Sequence, residues 1–161
     1  MSDVLLSRGL AAVVDDVDAA WLAQWKWHAT LRGYAARNVA VLGTTKRRTL
    51  FMHVALAEHW GWSIGPDEEI DHKDRDRLNN RRTNLRVVTH AQNVCNASRY
   101  SNNSSGFKGV GWHKQRGMWT ARIRVRGELL LLGYFDTAQA AAGAYAEASK
   151  RHHGEYGHAD N

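Results

Sequence analysis

Between residues 119 and 126 the chain alternates strictly. Trp119, Ala121, Ile123 and Val125 fall on one face of a strand, and Thr120, Arg122, Arg124 and Arg126 on the other. Arg126-Gly127-Glu128 reads as a hairpin turn into a second strand from Leu129 to Phe135. Asp136 stands where a helix N-cap belongs, with Gln139 as its capping-box partner. The helix that follows carries Ala138, Ala141, Ala142, Tyr145 and Ala148 on one face. Small side chains let a helix lie close on a sheet. The pattern therefore predicts three antiparallel strands, an alanine-lined helix on one face and arginines on the other.

Upstream the pattern is more broken. Asp18 is placed to cap a short helix through Gln24. Trp27-His28-Ala29 and Tyr34-Ala35-Ala36 read as short strands around the turn Arg32-Gly33, with Thr49-Leu50-Phe51 as a third. Met52 to Trp60 has helical periodicity, with Met52, Ala55, Leu56 and either His59 or Trp60 on one face. Gly61 to Glu69 is a loop holding the single proline, Pro66. Ile70-Asp71-His72 is a short strand, Lys73 to Asn84 a polar loop, and Leu85 to Val88 a second strand. Thr89 caps the next helix, with Gln92 completing a capping box, and that helix runs to about Ala97. Five of the seven tryptophans lie within the first 62 residues, which predicts a core of its own for this part. The apolar-free run Ser101-Asn102-Asn103-Ser104-Ser105-Gly106 divides the chain. The expected domains are 1–100 with a tryptophan-rich N-terminal extension, a linker at 101–104, and 105–161. The expected fold class is α+β.

Composition narrows the partners. The chain has 161 residues, 43% of them apolar, enough for packed cores. No apolar run is long enough to span a bilayer, and Met1-Ser2-Asp3 has no basic or apolar leader character, so the expectation is a cytoplasmic protein with no signal peptide, in a bacterial or phage-type host cell, and no membrane partner. One cysteine, Cys95, excludes an internal disulfide and a cysteine-built zinc site. The net charge is +6, but it is unevenly spread: residues 71–126 hold 13 basic and 3 acidic side chains. Concentrated like charge costs stability unless a partner neutralises it, which points to a polyanion such as nucleic acid.

The polar loop and its flanking strands hold the candidate chemistry. Phosphodiester hydrolysis needs a base to activate water and a cation to hold the phosphate. Asp71 is a hard oxygen ligand suited to magnesium, and His72 titrates near neutrality. Adjacent strand residues point to opposite faces, so the two suit different tasks. Asn84 could orient the imidazole, and Asn93 could present a second oxygen ligand from the helix. A lone Asp-His pair is more often structural, and asparagine-rich loops more often only build turns.

The spacing is more specific than the pair. His53-Val54, Ile70-Asp71-His72-Lys73-Asp74, Leu78-Asn79-Asn80-Arg81-Arg82-Thr83-Asn84-Leu85-Arg86 and Thr89-His90-Ala91-Gln92-Asn93 together resemble the HNH endonuclease family, in its phage-type homing branch with a ββα-metal fold. The resemblance covers about residues 50–97. It implies that Asp71 and Asn93 bind a divalent metal, Mg2+ or else Mn2+, that His72 is the general base, and that Asn84 fixes its ring. Asn80 would close the loop. His53 would be a packed helix residue or a phosphate neighbour, and Val54 stands where this branch has an arginine. His90 is the lesser alternative as a metal ligand, since Asn93 fills that role.

Ser105-Gly106-Phe107-Lys108-Gly109-Val110, Trp119 to Arg124, Leu132-Gly133-Tyr134-Phe135-Asp136-Thr137, and Ala140-Ala141 with Ala144-Tyr145 resemble the APETALA/ethylene-response-factor DNA-binding domain. That resemblance implies a sheet laid in the major groove, with Lys108, His113, Arg122 and Arg124 toward DNA, and the alternation independently puts Arg126 on the same exposed face as Arg122 and Arg124, as a further DNA contact. Leu129 and Leu131 depart from it, standing where the family has polar, basic or aromatic contacts. The expectation is a site-specific, homing-type, metal-dependent endonuclease acting on double-stranded DNA. A non-catalytic DNA-binding protein with a decayed nuclease unit is the alternative. An RNA-binding protein fits less well, because the arginine face lacks aromatic residues at a stacking spacing. Oligomeric state, target sequence and nicking versus double-strand cutting are not legible.

Overall fold

The computed structural model describes residues 1–97 and 103–159. It is of mixed α and β type, and its contacts divide it into two units, Met1–Val88 and Thr89–Asn161. Ser101 and Asn102 of the expected linker lie outside the described residues.

The first unit opens with an antiparallel hairpin, β1 (Ser2–Leu5) on β2 (Ala11–Val14), which the sequence pattern did not announce. Helix α1 (Asp16–Leu22) follows. Its N-cap is Asp15 rather than Asp18. Asp18 is instead buried and accepts a 3.0 Å hydrogen bond from Trp60 Nε1, a contact 42 residues away in sequence. Strands β3 (His28–Ala29), β4 (Ala35–Ala40) and β5 (Arg47–Phe51) form an antiparallel sheet in that order. Helix α2 (Met52–His59) leaves β5 directly and buries Met52, Ala55 and Leu56 against Val14, Leu22 and Trp27. This is the core the tryptophan clustering anticipated. A third sheet pairs β6 (Glu68–His72) with β7 (Leu85–Thr89), and Ile70 and Leu85 pack with Ala57.

The second unit begins with α3 (His90–Asn96). The predicted capping box is present: Thr89 Oγ1 accepts from Gln92 N, and Gln92 Oε1 accepts from Thr89 N at 2.8 Å. Strands β8 (Val110–His113), β9 (Met118–Val125) and β10 (Glu128–Phe135) form an antiparallel sheet with β9 in the centre. Helix α4 (Ala138–His153) packs its alanines and Tyr145 on Val110, Ala121 and Ile123, as the alternation predicts. Its cap is Thr137, whose Oγ1 accepts from Ala140 N at 3.1 Å, and not Asp136. Gly109 shows why the helix can approach: at φ 72° its Cβ would lie 2.2 Å from the Tyr145 ring. Thr120 departs from the expected outer polar face. It is buried, and its hydroxyl donates to Gly111 O at 3.0 Å. Among the described residues, no helix is long and apolar enough to cross a membrane.

Candidate active site

His72 closes β6, and the loop from Lys73 to Asn84 returns to β7 beside it, with Lys73 N donating to Asn84 O at 2.9 Å. The imidazole is buried, 4% exposed. Its Nε2 lies 3.4 Å from Asn80 Oδ1. The Asn80 amide is oriented by its other end, since Nδ2 donates to Leu78 O at 3.1 Å. An amide oxygen can only accept, so this contact is a hydrogen bond in the tautomer that carries its proton on Nε2. Burial pushes the His72 pKa below its ordinary value. The Asn80 bond and the carboxylates of Asp71, Asp74 and Asp76 pull it back without offsetting burial. The ring is therefore neutral at pH 7 and able to take a proton.

The loop that carries Asn80 is clamped from outside. Val13 of β2 donates to Leu78 O and accepts from Asn80 N, both at 2.8 Å. Asp15 Oδ2 accepts from Arg82 N at 2.8 Å. Asn84 does not take the orienting role the sequence assigned to it. Its Nδ2 donates to Asp74 Oδ1 at 2.8 Å and to Asn79 O at 2.7 Å, and its Oδ1 accepts from Asp74 N at 3.2 Å. Asn84 thus ties the loop, and Asn80 meets the imidazole. The two asparagines exchange their expected parts, because the hairpin clamp decides which amide reaches the ring. Burial raises the Asp74 carboxyl, but hydrogen bonds from Asn79, Asn84 and the Asp76 amide outweigh it and hold it below the usual carboxylate value.

Asp71 is buried and receives a fork of two bonds on Oδ2, from Arg86 Nε at 3.0 Å and Nη2 at 2.9 Å. Arg86 was missed at the sequence level; its only signal is its place on the strand that pairs with β6. His53, in the first turn of α2, packs edge-on to His72 with ring centroids 5.0 Å apart. Tyr34 and Phe51 flank it at 5.4 and 5.5 Å. Burial, with His72 adding to it, lowers the His53 pKa to about 3, and its Nδ1 is buried without a hydrogen-bond partner among the described residues. The packed reading of His53 fits this environment.

Asn93 and His90 lie on α3, in the second unit. Among the described residues no three or more His, Cys, Asp or Glu side chains gather as a metal cluster. The donor set the sequence proposes is a hard one of carboxylate and amide oxygens. It fits magnesium or manganese and not a soft or tetrahedral metal. In the second unit, Arg122 and Arg124 are exposed on β9. Arg126 lies beyond the strand in the β9–β10 turn, at φ 51° followed by Gly127 at φ 88°. His113 meets the Tyr134 ring at 5.4 Å, and Arg116 stacks over that ring at 4.4 Å. Lys108 Nζ donates to the carbonyls of Cys95 and Ala97.

Comparison with known proteins adds two matches. Residues 52–95 match the HNH endonuclease family, so an HNH endonuclease domain lies there. The chain is also 33% identical to Protein 3.8 of Escherichia phage T7 over 76 residues. That alignment covers 47% of this chain and 63% of the phage protein's length. No solved structure matches the chain. The matches support a nuclease function acting on DNA.

Proposed function

We propose that the chain is a metal-dependent endonuclease that hydrolyses phosphodiester bonds of duplex DNA at specific sites, in the homing manner, with His72 as general base. The observation that carries this is a buried, neutral imidazole held by Asn80 within the region that matches the HNH family. His72 takes a proton from water, the hydroxide oxygen bonds to phosphorus, and the bond to the 3′ oxygen breaks, that oxygen leaving with the electron pair and taking a proton from solvent water to become a hydroxyl. Asp71 and Asn93, both inside the matched region, would hold a divalent cation, most simply Mg2+. When bound, that cation neutralises charge on the scissile phosphate and the departing oxygen. The protein's own contribution is orientation: Asn80 holds the ring of the base, Asn84 and Asp74 hold the loop, and Arg86 fixes the Asp71 carboxylate.

Residues 105–161 act as the docking domain in this reading, in the manner of the APETALA/ethylene-response-factor sheet. Arg122, Arg124, Arg126 and His113 supply the contacts to duplex DNA. Exposure of Arg122 and Arg124 on one strand favours this assignment. The deciding experiment is conversion of supercoiled plasmid with Mg2+, with EDTA, and with His72→Ala. Metal-dependent conversion that disappears in the variant establishes the nuclease. Open-circle or linear product separates nicking from double-strand cutting. Tight duplex binding with no conversion on plasmids carrying a selected binding site favours the binding-only alternative.

A further inference from the structure

The outer face of the second unit's sheet holds two leucines where a charged or polar residue would be the ordinary choice. In the β9–β10 register Leu129 stands opposite Arg124 and Leu131 opposite Arg122. Residues directly opposite in an antiparallel pair share a face. This face is the one turned away from α4, because Ile123 and Ala121, the alternate residues of β9, are buried in the core beneath it. Leu129 is 56% exposed and Leu131 50% exposed. Two leucines along β10 and two arginines along β9 therefore form a compact square on a solvent-facing sheet.

We propose that Leu129 and Leu131 are specificity determinants that contact the C5-methyl groups of thymine in duplex DNA. The proposal rests on the docking role given to this sheet above and deepens it. A leucine side chain has no donor or acceptor, so it makes no hydrogen bond to phosphate, sugar or the polar edges of bases. The thymine methyl is the one apolar feature that a major groove presents. Charge argues for the same occupant. Neither Arg122 nor Arg124 is ion-paired with a carboxylate among the described residues. Covering the leucines with an apolar protein surface would strip water from both guanidinium groups and leave them without counter-charge. A duplex covers the leucines with methyls while its phosphates neutralise the arginines beside them and guanine edges accept their hydrogen bonds. The register also orders the reading. Alternate residues of a strand lie about 7 Å apart, roughly two base-pair steps, so the two leucines would sample thymines about two positions apart.

The test changes the DNA by one atom group and leaves the protein intact. The full chain is titrated, in EDTA to prevent cleavage, against alternating d(AT) and d(AU) duplexes of equal length, which differ only in the C5-methyl. The wild type should prefer the thymine duplex by about fourfold for each methyl engaged. In Leu129→Ala with Leu131→Ala that preference should fall to near one, with the salt slope unchanged, since no phosphate contact is lost. Both positions are exposed, and an unaltered melting temperature shows that the variant is folded. Equal wild-type affinity for the two duplexes, with steep salt dependence retained, overturns the methyl reading and leaves arginine docking standing. Failure to bind these duplexes and a mixed-sequence duplex at low salt overturns the docking role itself. Loss of self-association in the leucine variant, with duplex binding untouched, identifies the patch as a protein contact and overturns the proposal.

Discussion

Asn80 Oδ1 faces His72 Nε2 at 3.4 Å, while the nitrogen of the same amide is committed to the Leu78 carbonyl. This contact favours the tautomer of the base that is protonated on Nε2. Asn80→Ala should lower kcat by roughly 10- to 100-fold, the range for groups that orient an active side chain, with DNA affinity nearly unchanged. The Asn80 bond raises the His72 pKa, so its loss should move the acidic limb of the rate profile to lower pH. Asn80→Asp should move that limb upward by adding a negative charge. A rate profile measured on all three proteins checks both signs.

Replacing Asp71 by Ala would remove more than a metal ligand. It would strand the Arg86 guanidinium, whose side chain is 11% exposed, without its carboxylate. Breaking one partner of a buried pair typically costs about 3–5 kcal/mol. Asp71→Ala should therefore lose both cleavage and stability, whereas His72→Ala should lose cleavage with binding intact. Thermal melts alongside plasmid assays separate the two effects.

Stability should fall in acid through His53. Its folded-state pKa is about 3 against an ordinary 6.5, so the unfolded chain binds the proton more readily. The stabilisation is complete above about pH 6.5 and lost progressively as pH falls toward 3, by up to about 1.4 kcal/mol per pH unit. Burial depresses His72 in the same direction. Melting temperatures across this range should drop steeply for the wild type and less steeply for His53→Leu.

Arg122→Ala with Arg124→Ala should weaken duplex binding and flatten its dependence on salt. If each arginine neutralises one phosphate, the slope of log K against log salt should shrink by about two. Fluorescence anisotropy at several salt concentrations reads this directly.

Gly109→Ala should unfold or strongly destabilise the second unit. The added methyl meets both the Tyr145 ring and Arg122 O at 2.7 Å, and the backbone sits at φ 72°. Far-UV melting of this variant beside Gly111→Ala, where the space is open, is the control.

The second unit was the more legible half because its order is local. Strict alternation over 119–126 separates a buried face from an exposed one, and the small residues of α4 mark the side that seats the helix. Thr120 escaped the pattern because its hydroxyl found Gly111 O, which alternation cannot foresee. In the first unit the decisive contacts join distant residues. Asp18 reads as a cap until Trp60 is brought to it. Asn80 and Asn84 are the same amide four residues apart, and only the path of the loop between them decides which meets the ring. Asp71 and His72 stood out by type and spacing, but Arg86 and Tyr34 carried no local mark. The β1–β2 hairpin was missed because its strands are short and offer little pattern of their own.

That hairpin alters what a minimal nuclease would have to contain. The family match begins at residue 52, yet Val13 and Asp15 hold the backbone of residues 78–82. A fragment cut to the matched boundaries would keep the base, the ligand and every loop asparagine, and would still lack the brace that brings Asn80 to the imidazole. Grafted onto another scaffold, residues 52–95 would carry the letters of the active site without its alignment. The transplantable unit starts at the first strand.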